Sequence, residues 1–168
     1  LSLRNGHVRL RDGMILLDFP AKSGQRVRRS LRDRTLGRVL EKAQDLPGAT
    51  LLAWTDREGT PHALNSAALN AYLDEAEGDP SLAFTAKTFR TWAGTLAAFE
   101  RWERGDAPSA RGLAEAAAER LHNTPAVARA AYVHPTVLAL AGTPHEPGEA
   151  APVAGLSAAE ARLLALLT

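Results

Sequence analysis

The chain has no cysteine, so neither disulfides nor thiolate metal sites enter its chemistry. It also lacks any apolar run near the ~20 residues that a membrane-spanning helix needs. Its first residues show no charged-then-apolar secretory pattern, so an intracellular, cytoplasmic setting without a membrane partner is expected. The five histidines, His7, His62, His122, His134 and His145, form no i,i+4 pair of the zinc-binding kind, and no metal or other cofactor is expected. Net charge is nearly absent as well, at +1 over 168 residues, but that balance conceals an asymmetry. Residues 1–42 hold eleven Lys and Arg against four Asp and Glu, whereas the remainder holds nine against fifteen. A basic leading segment suits a nucleic-acid partner, because binding releases counterions from the phosphates. A merely solvated basic face explains it equally well.

What is present is enough apolar material, 45% of the residues, for a folded core of ordinary size. The opening residues alternate apolar and polar through His7 to Arg11 and Met14 to Phe19, with Asp12-Gly13 as a hairpin turn. A second loop, Pro20 to Gly24, leads to Gln25 through Ser30, which completes a three-stranded antiparallel meander over 1–31 with Lys22 at a hairpin tip. Helical spacing then takes over: Leu36, Val39, Leu40 and Ala43 predict a helix over 33–44, stopped by Pro47-Gly48. Leu51 to Trp54 reads as a fourth strand or a loop anchor. Asn65 or Ser66 caps a helix carrying Leu69, Tyr72, Leu73 and Ala76 on one face, ended by Gly78-Asp79-Pro80.

From Ala86 onward the pattern is helical. Phe89, Trp92, Ala93, Leu96 and Phe99 form an apolar stripe, and Lys87, Arg90 and Gly94 lie beside it, with Gly94 leaving room for a close backbone. A break at Gly105 to Pro108 precedes an Ala-rich helix through Leu113, Ala117 and Leu121. Thr124 caps a short helix with Pro125 at its first position, running to Tyr132. The expected class is therefore α+β: the meander, then a mainly helical region over 32–142, the two together forming a catalytic domain over 1–142. A Pro-, Gly- and Ala-rich linker follows over 143–155, and Ser157 and Glu160 form a capping box for a last helix over 156–168.

Chemistry concentrates on Tyr132. A phenol opens a phosphodiester by attacking phosphorus when cations and donors hold the non-bridging oxygens and an acid protonates the departing alkoxide. Arg90 offers a two-pronged guanidinium, Asn123 a neutral donor, and Lys22, among basic neighbours that favour loss of its proton, a general acid. Lys87 is an accessory phosphate contact. Each residue alone has an ordinary structural explanation, such as a cap, a turn lysine or a boundary tyrosine. The order of the motifs is what gives them weight.

In that order, Leu3-Arg4 and His7-Val8, Lys22-Ser23-Gly24, Phe84 through Thr95, Asn123-Thr124-Pro125-Ala126-Val127 and Tyr132-Val133-His134-Pro135, the chain resembles the poxvirus-like type IB DNA topoisomerases in their bacterial branch. The resemblance covers most of the chain and implies a C-terminal catalytic domain acting on double-stranded DNA as a monomer at the bacterial nucleoid. It implies that Tyr132 forms a 3′-phosphotyrosyl bond, that Lys22 protonates the 5′ oxygen, and that Arg90 grips the scissile phosphate, without ATP or metal. Asn123 stands where many relatives carry a histidine, and an amide donates to a phosphate oxygen without adding charge. It also implies a further catalytic arginine and an N-terminal clamp domain upstream of Leu3, so a piece beginning at Leu1 is expected to be slow or inactive alone. Two other readings stand beside this one. A tyrosine recombinase shares the nucleophile chemistry, although the helix reads Lys87-Thr88-Phe89-Arg90 rather than His-x-x-Arg. A non-catalytic DNA-binding module would keep the fold alone.

Overall fold

The computed structural model describes residues 2–21, 24, 26–77, 84–145 and 148–168. The chain is α+β and divides into two compact units, Leu1–Ala83 and Phe84–Thr168.

In the first unit, β1 (Val8–Arg11), β2 (Met14–Pro20) and β3 (Arg26–Leu31) pair antiparallel in sequential order. The first turn forms because Asp12 and Gly13 both take positive φ, 51° and 74°, as a tight hairpin of right-handed twist requires. Register places Val8 opposite Leu17 and Ile15 opposite Leu31, so the apolar alternates share one face. Helix α1 (Arg34–Gln44) is capped by Asp33, whose carboxylate accepts the Leu36 N–H at 2.9 Å. Leu40 of α1 joins Val8, Ile15 and Leu51 in a buried cluster. The Gln44 amide then donates to the Asn5 and Val8 carbonyls at 3.1 and 3.0 Å, tying the end of α1 to the start of β1. Leu36 and Val39, which the helical period assigns to the apolar face, are exposed here, since the small sheet covers only the Leu40 edge of that face.

Leu51 is fully buried as an anchor, and the strand beyond it is β4 (Ala53–Thr55), paired with β5 (Pro61–Ala63). Asp56 organises their turn by accepting the Glu58 and Thr60 N–H groups. Helix α2 (Ser66–Glu77) follows, and its cap is Asn65, which accepts the Ala68 N–H at 2.8 Å. The expected stop at Gly78-Asp79-Pro80 and the expected hairpin tip at Lys22 lie outside the described residues.

The second unit contains α3 (Ala86–Trp102), α4 (Ala110–Leu121), α5 (Pro125–Ala131), α6 (Pro135–Ala139) and α7 (Ala158–Leu167). Its core joins Ala98, Phe99, Leu113, Ala117, Ala118, Ala128, Val133, Val137 and Leu163. Four of the nine are alanines, which lets α3, α4 and α5 approach closely. Phe89, expected on the α3 core stripe, is exposed and meets Phe84 edge-on at 5.9 Å. Helix α7 begins with the Ser157–Glu160 capping box and packs on α3. There Glu160 also accepts the Trp92 indole N–H at 3.2 Å, and Arg162 forms a two-pronged pair with Glu103.

Candidate active site

The site in the second unit is built where α3 passes the α4–α5 corner. Helix α4 ends at His122, which adopts a left-handed conformation with φ 52°, and the His122 and Asn123 N–H groups both reach back to the Ala118 carbonyl. This is the usual way a helix end satisfies its last carbonyls, here with a histidine rather than a glycine. The Leu121 carbonyl remains available at the partly negative end of the helix, and Arg90 Nη2 donates to it at 3.3 Å.

The same guanidinium lies over the Tyr132 ring, its Cζ 5.0 Å from the ring centroid. Tyr132 closes α5: its N–H donates to the Ala128 carbonyl at 2.9 Å, and its ring is half-buried. Thr124 starts that helix by accepting the Val127 N–H, with Pro125 at the first position. Between its cap and its terminal tyrosine α5 has barely two turns, so the α4–α5 corner sets the tyrosine's position.

Two residues of α3 hold the tyrosine's backbone. A Cβ built on Gly94 would stand 2.6 Å from the Tyr132 carbonyl oxygen, a distance that real Cβ atoms do not adopt, and a tight 3.2 Å from the Tyr132 Cβ. The glycine is therefore required by a close approach, and the backbone for which the sequence left room is that of Tyr132 itself. Thr95, only 2% exposed, donates its hydroxyl to the Tyr132 carbonyl at 3.3 Å and accepts the His134 N–H at 3.1 Å. One buried hydroxyl thus pins the chain just after the tyrosine side chain, bridging Tyr132 and His134 across Val133. Thr95 was not singled out from the sequence; its one signal there is a hydroxyl immediately after a helical glycine.

Asn123 follows two residues after the carbonyl that Arg90 holds. Its Oδ1 and Nδ2 are both buried without a hydrogen-bond partner among the described residues. An amide in that state costs about 1–3 kcal/mol relative to a satisfied one, a cost that a hydrogen-bonding partner at this corner would relieve. Lys87 is exposed one turn before Arg90 on α3. The structure therefore brings Arg90 and Tyr132 into contact and sets Asn123 at the same corner. Lys22 belongs to the first unit, between β2 and β3, outside the described residues.

Among the described residues no group of His, Asp and Glu is arranged to hold a metal ion. The arrangement offers a phenol, a guanidinium over its ring, and an unpartnered amide. These are the parts needed to bind a phosphodiester and attack it.

Comparison with known proteins gives the family. A DNA topoisomerase 1B of Acanthamoeba polyphaga mimivirus is 34% identical to this chain over 99 residues, which cover 56% of the chain and 29% of the viral protein. The match thus covers less than a third of the length of that relative. The family model of the eukaryotic DNA topoisomerase I catalytic core matches residues 1–132, a span that reaches from before β1 through Tyr132. The chain belongs to the DNA topoisomerase I catalytic-core family, the type IB topoisomerases.

Proposed function

We propose that this chain is the catalytic region of a type IB topoisomerase of the bacterial, poxvirus-like branch, which relaxes supercoiled duplex DNA by cutting and resealing one strand. The observation that carries the reading is the Arg90 guanidinium over the Tyr132 ring, with the tyrosine's backbone fixed by Gly94 and Thr95. In the forward step the Tyr132 oxygen attacks phosphorus as the phenolic proton passes to solvent. The P–O5′ bond breaks, and Lys22 gives a proton to the departing 5′ oxygen. Arg90, moving from the Leu121 carbonyl to the phosphate, and Asn123, filling its empty donor position, hold the non-bridging oxygens as charge develops on them. Lys87 contacts a neighbouring phosphate.

The phosphotyrosyl ester conserves the energy of the bond that was cut. Religation is the reverse displacement: the 5′ hydroxyl attacks, its proton returns to Lys22, and Tyr132 leaves. Strain in the DNA drives rotation between the two steps, so neither ATP nor a metal takes part. The test is relaxation of supercoiled plasmid by the purified full-length protein in EDTA without ATP. Wild-type protein relaxes the plasmid and the Tyr132→Phe variant does not. Relaxation by Tyr132→Phe, or none by the wild type, overturns the reading.

A further inference from the structure

One histidine governs the start of the helix that follows the tyrosine, and the proposed reaction gives it no part. Helix α6 has five residues, too few to stand without its ends satisfied. Its first residue, Pro135, has no N–H to place. The next three do, and His134 takes all of them. Its ring Nδ1 accepts the Thr136 N–H at 3.2 Å, and its carbonyl accepts those of Val137 and Leu138 at 3.0 and 3.2 Å. The N–H of His134 itself goes to the Thr95 hydroxyl, which donates in turn to the Tyr132 carbonyl. Capping residue and tyrosine are thus joined through one buried oxygen.

The ring contact fixes a protonation state. An N–H needs a lone pair to point at, so the Nδ1 that accepts it carries no proton, and the proton of the neutral ring is on Nε2. A proton on Nδ1 would set two donors against each other and put positive charge at the partly positive end of a helix. The contact is therefore complete while the imidazole is neutral and is lost as falling pH protonates it. Helix α6 carries no charged residue and packs against α3 and α4. On α3, Arg90 is engaged at the Leu121 carbonyl and Arg101 with Asp106; Lys87 and Glu100 are its other charges. On α4, Arg111 pairs with Glu115, and Glu119 and Arg120 complete the set. Helix α7, whose Leu163 shares a core cluster with Val137, commits Glu160 to Trp92 and Arg162 to Glu103.

We propose that His134, in its neutral Nε2–H form, is a positioning residue for the cleavage step: by closing the first turn of α6 it holds the main chain from which Tyr132 is aimed. The inference rests on the function proposed above. Helices α5 and α6, of seven and five residues, leave only Tyr132, Val133 and His134 between them. The tyrosine's place is therefore set by whatever fixes the chain on either side. A displacement of ~1 Å at a nucleophile costs about 10²-fold, so a loosened turn is read in the cleavage rate.

The test uses the full-length protein and two readouts. Long-range proton–nitrogen correlation spectra report the ring: in the neutral form Nδ1 of His134, assigned by its loss in His134→Asn, is expected to carry no proton. Single-turnover cleavage of a duplex is followed from about pH 5 to 8, the range in which imidazoles titrate. At the upper end His134→Ala is expected to cut about tenfold more slowly than the wild type, with duplex affinity unchanged. His134→Asn, whose side-chain oxygen accepts the same N–H without titrating, is expected to recover most of that rate and to lose less of it toward acid than the wild type does. If the alanine variant does not fold, the wild-type spectrum and the acid response of the asparagine variant decide. A proton on Nδ1 of the neutral ring, an asparagine variant as slow as the alanine one, or the same acid response in wild type and asparagine variant each overturns the inference. Where plasmid is still relaxed in those cases, the proposed function stands. A wild type that cuts no DNA overturns the function and the positioning role together, whichever ring nitrogen holds the proton.

Discussion

In residues 2–77 a cluster of four buried side chains, Val8, Ile15, Leu40 and Leu51, holds a sheet against one helix, whereas in residues 84–168 a cluster of nine knits helices together. The first unit spends its arginines on an open surface. The second uses small residues and a buried hydroxyl to fix one tyrosine. The difference matches what each arrangement can do. An open basic surface works through charge, which tolerates ångström-scale adjustment because Coulomb energy falls slowly with distance. A nucleophile must sit in line with the bond it breaks, and a displacement of ~1 Å costs about 10²-fold.

The largest expected effect breaks the comparison from the first unit's side. If Lys22 supplies the proton, Lys22→Ala slows cleavage by about 10²- to 10⁴-fold. A substrate with sulfur in place of the 5′-bridging oxygen then restores the rate, because a thiolate leaves without protonation. A deficit that persists on the sulfur substrate removes Lys22 from the role.

Next is Gly94→Ala, which forces a methyl against the Tyr132 carbonyl. Cleavage is expected to fall about 10²-fold and stability by about 1–3 kcal/mol, as read from single-turnover kinetics and chemical denaturation. Wild-type kinetics in this variant contradict the claim that the close approach positions the nucleophile.

A finer cut at the same place is Thr95→Val, which keeps the shape and deletes the hydroxyl that links the Tyr132 carbonyl to the His134 N–H. It should cost about 1–3 kcal/mol, with Thr95→Ser recovering most of the loss and lowering kcat less than Val does. Equal behaviour of Ser and Val would falsify the hydrogen-bonding role.

The smallest effect concerns the docking of α7. Glu160 is held below the ordinary glutamate range by the Ser157 N–H first, then the Ser157 hydroxyl and the Trp92 indole. Because the folded-state pKa is depressed, its contribution is complete above the unfolded value of about 4.3 and is lost as pH falls through the lower folded value. Amide exchange in α7 is expected to accelerate over that acidic window, and Glu160→Gln is expected to flatten the response. An unchanged acid response in the glutamine variant assigns the effect to another carboxylate.

Much of this fold is legible in the sequence, for reasons visible in particular residues. Asp12-Gly13 names its turn because few other residues accept two positive φ angles, and Ser157 with Glu160 names a helix start because the two side chains satisfy each other's backbone. Strand β5 escaped notice, being three residues long and opening on a proline, too short for alternation to register. Periodicity located the apolar faces of α1 and α3 without telling how far each is covered, so Leu36, Val39 and Phe89 emerged into solvent.

At the site, residue types and order pointed to Arg90, Asn123 and Tyr132. The corner at which Arg90 meets Tyr132 follows the left-handed turn at His122, and a histidine signals that conformation far more weakly than a glycine does. Thr95 was hidden for a related reason: its partners are a carbonyl and an N–H of the main chain, which every residue possesses.

The resting contact of Arg90 has a consequence for inheritance. Its acceptor at position 121 is a main-chain carbonyl, so no substitution of that leucine's side chain can delete it. Drift at 121 changes packing while the arginine keeps its place of rest. Gly94, a short distance along the same helix as Arg90, has no such freedom, since any added side chain begins with the one atom for which there is no space. Within a single turn of α3, one contact is thus insulated against mutation and the other is fully exposed to it.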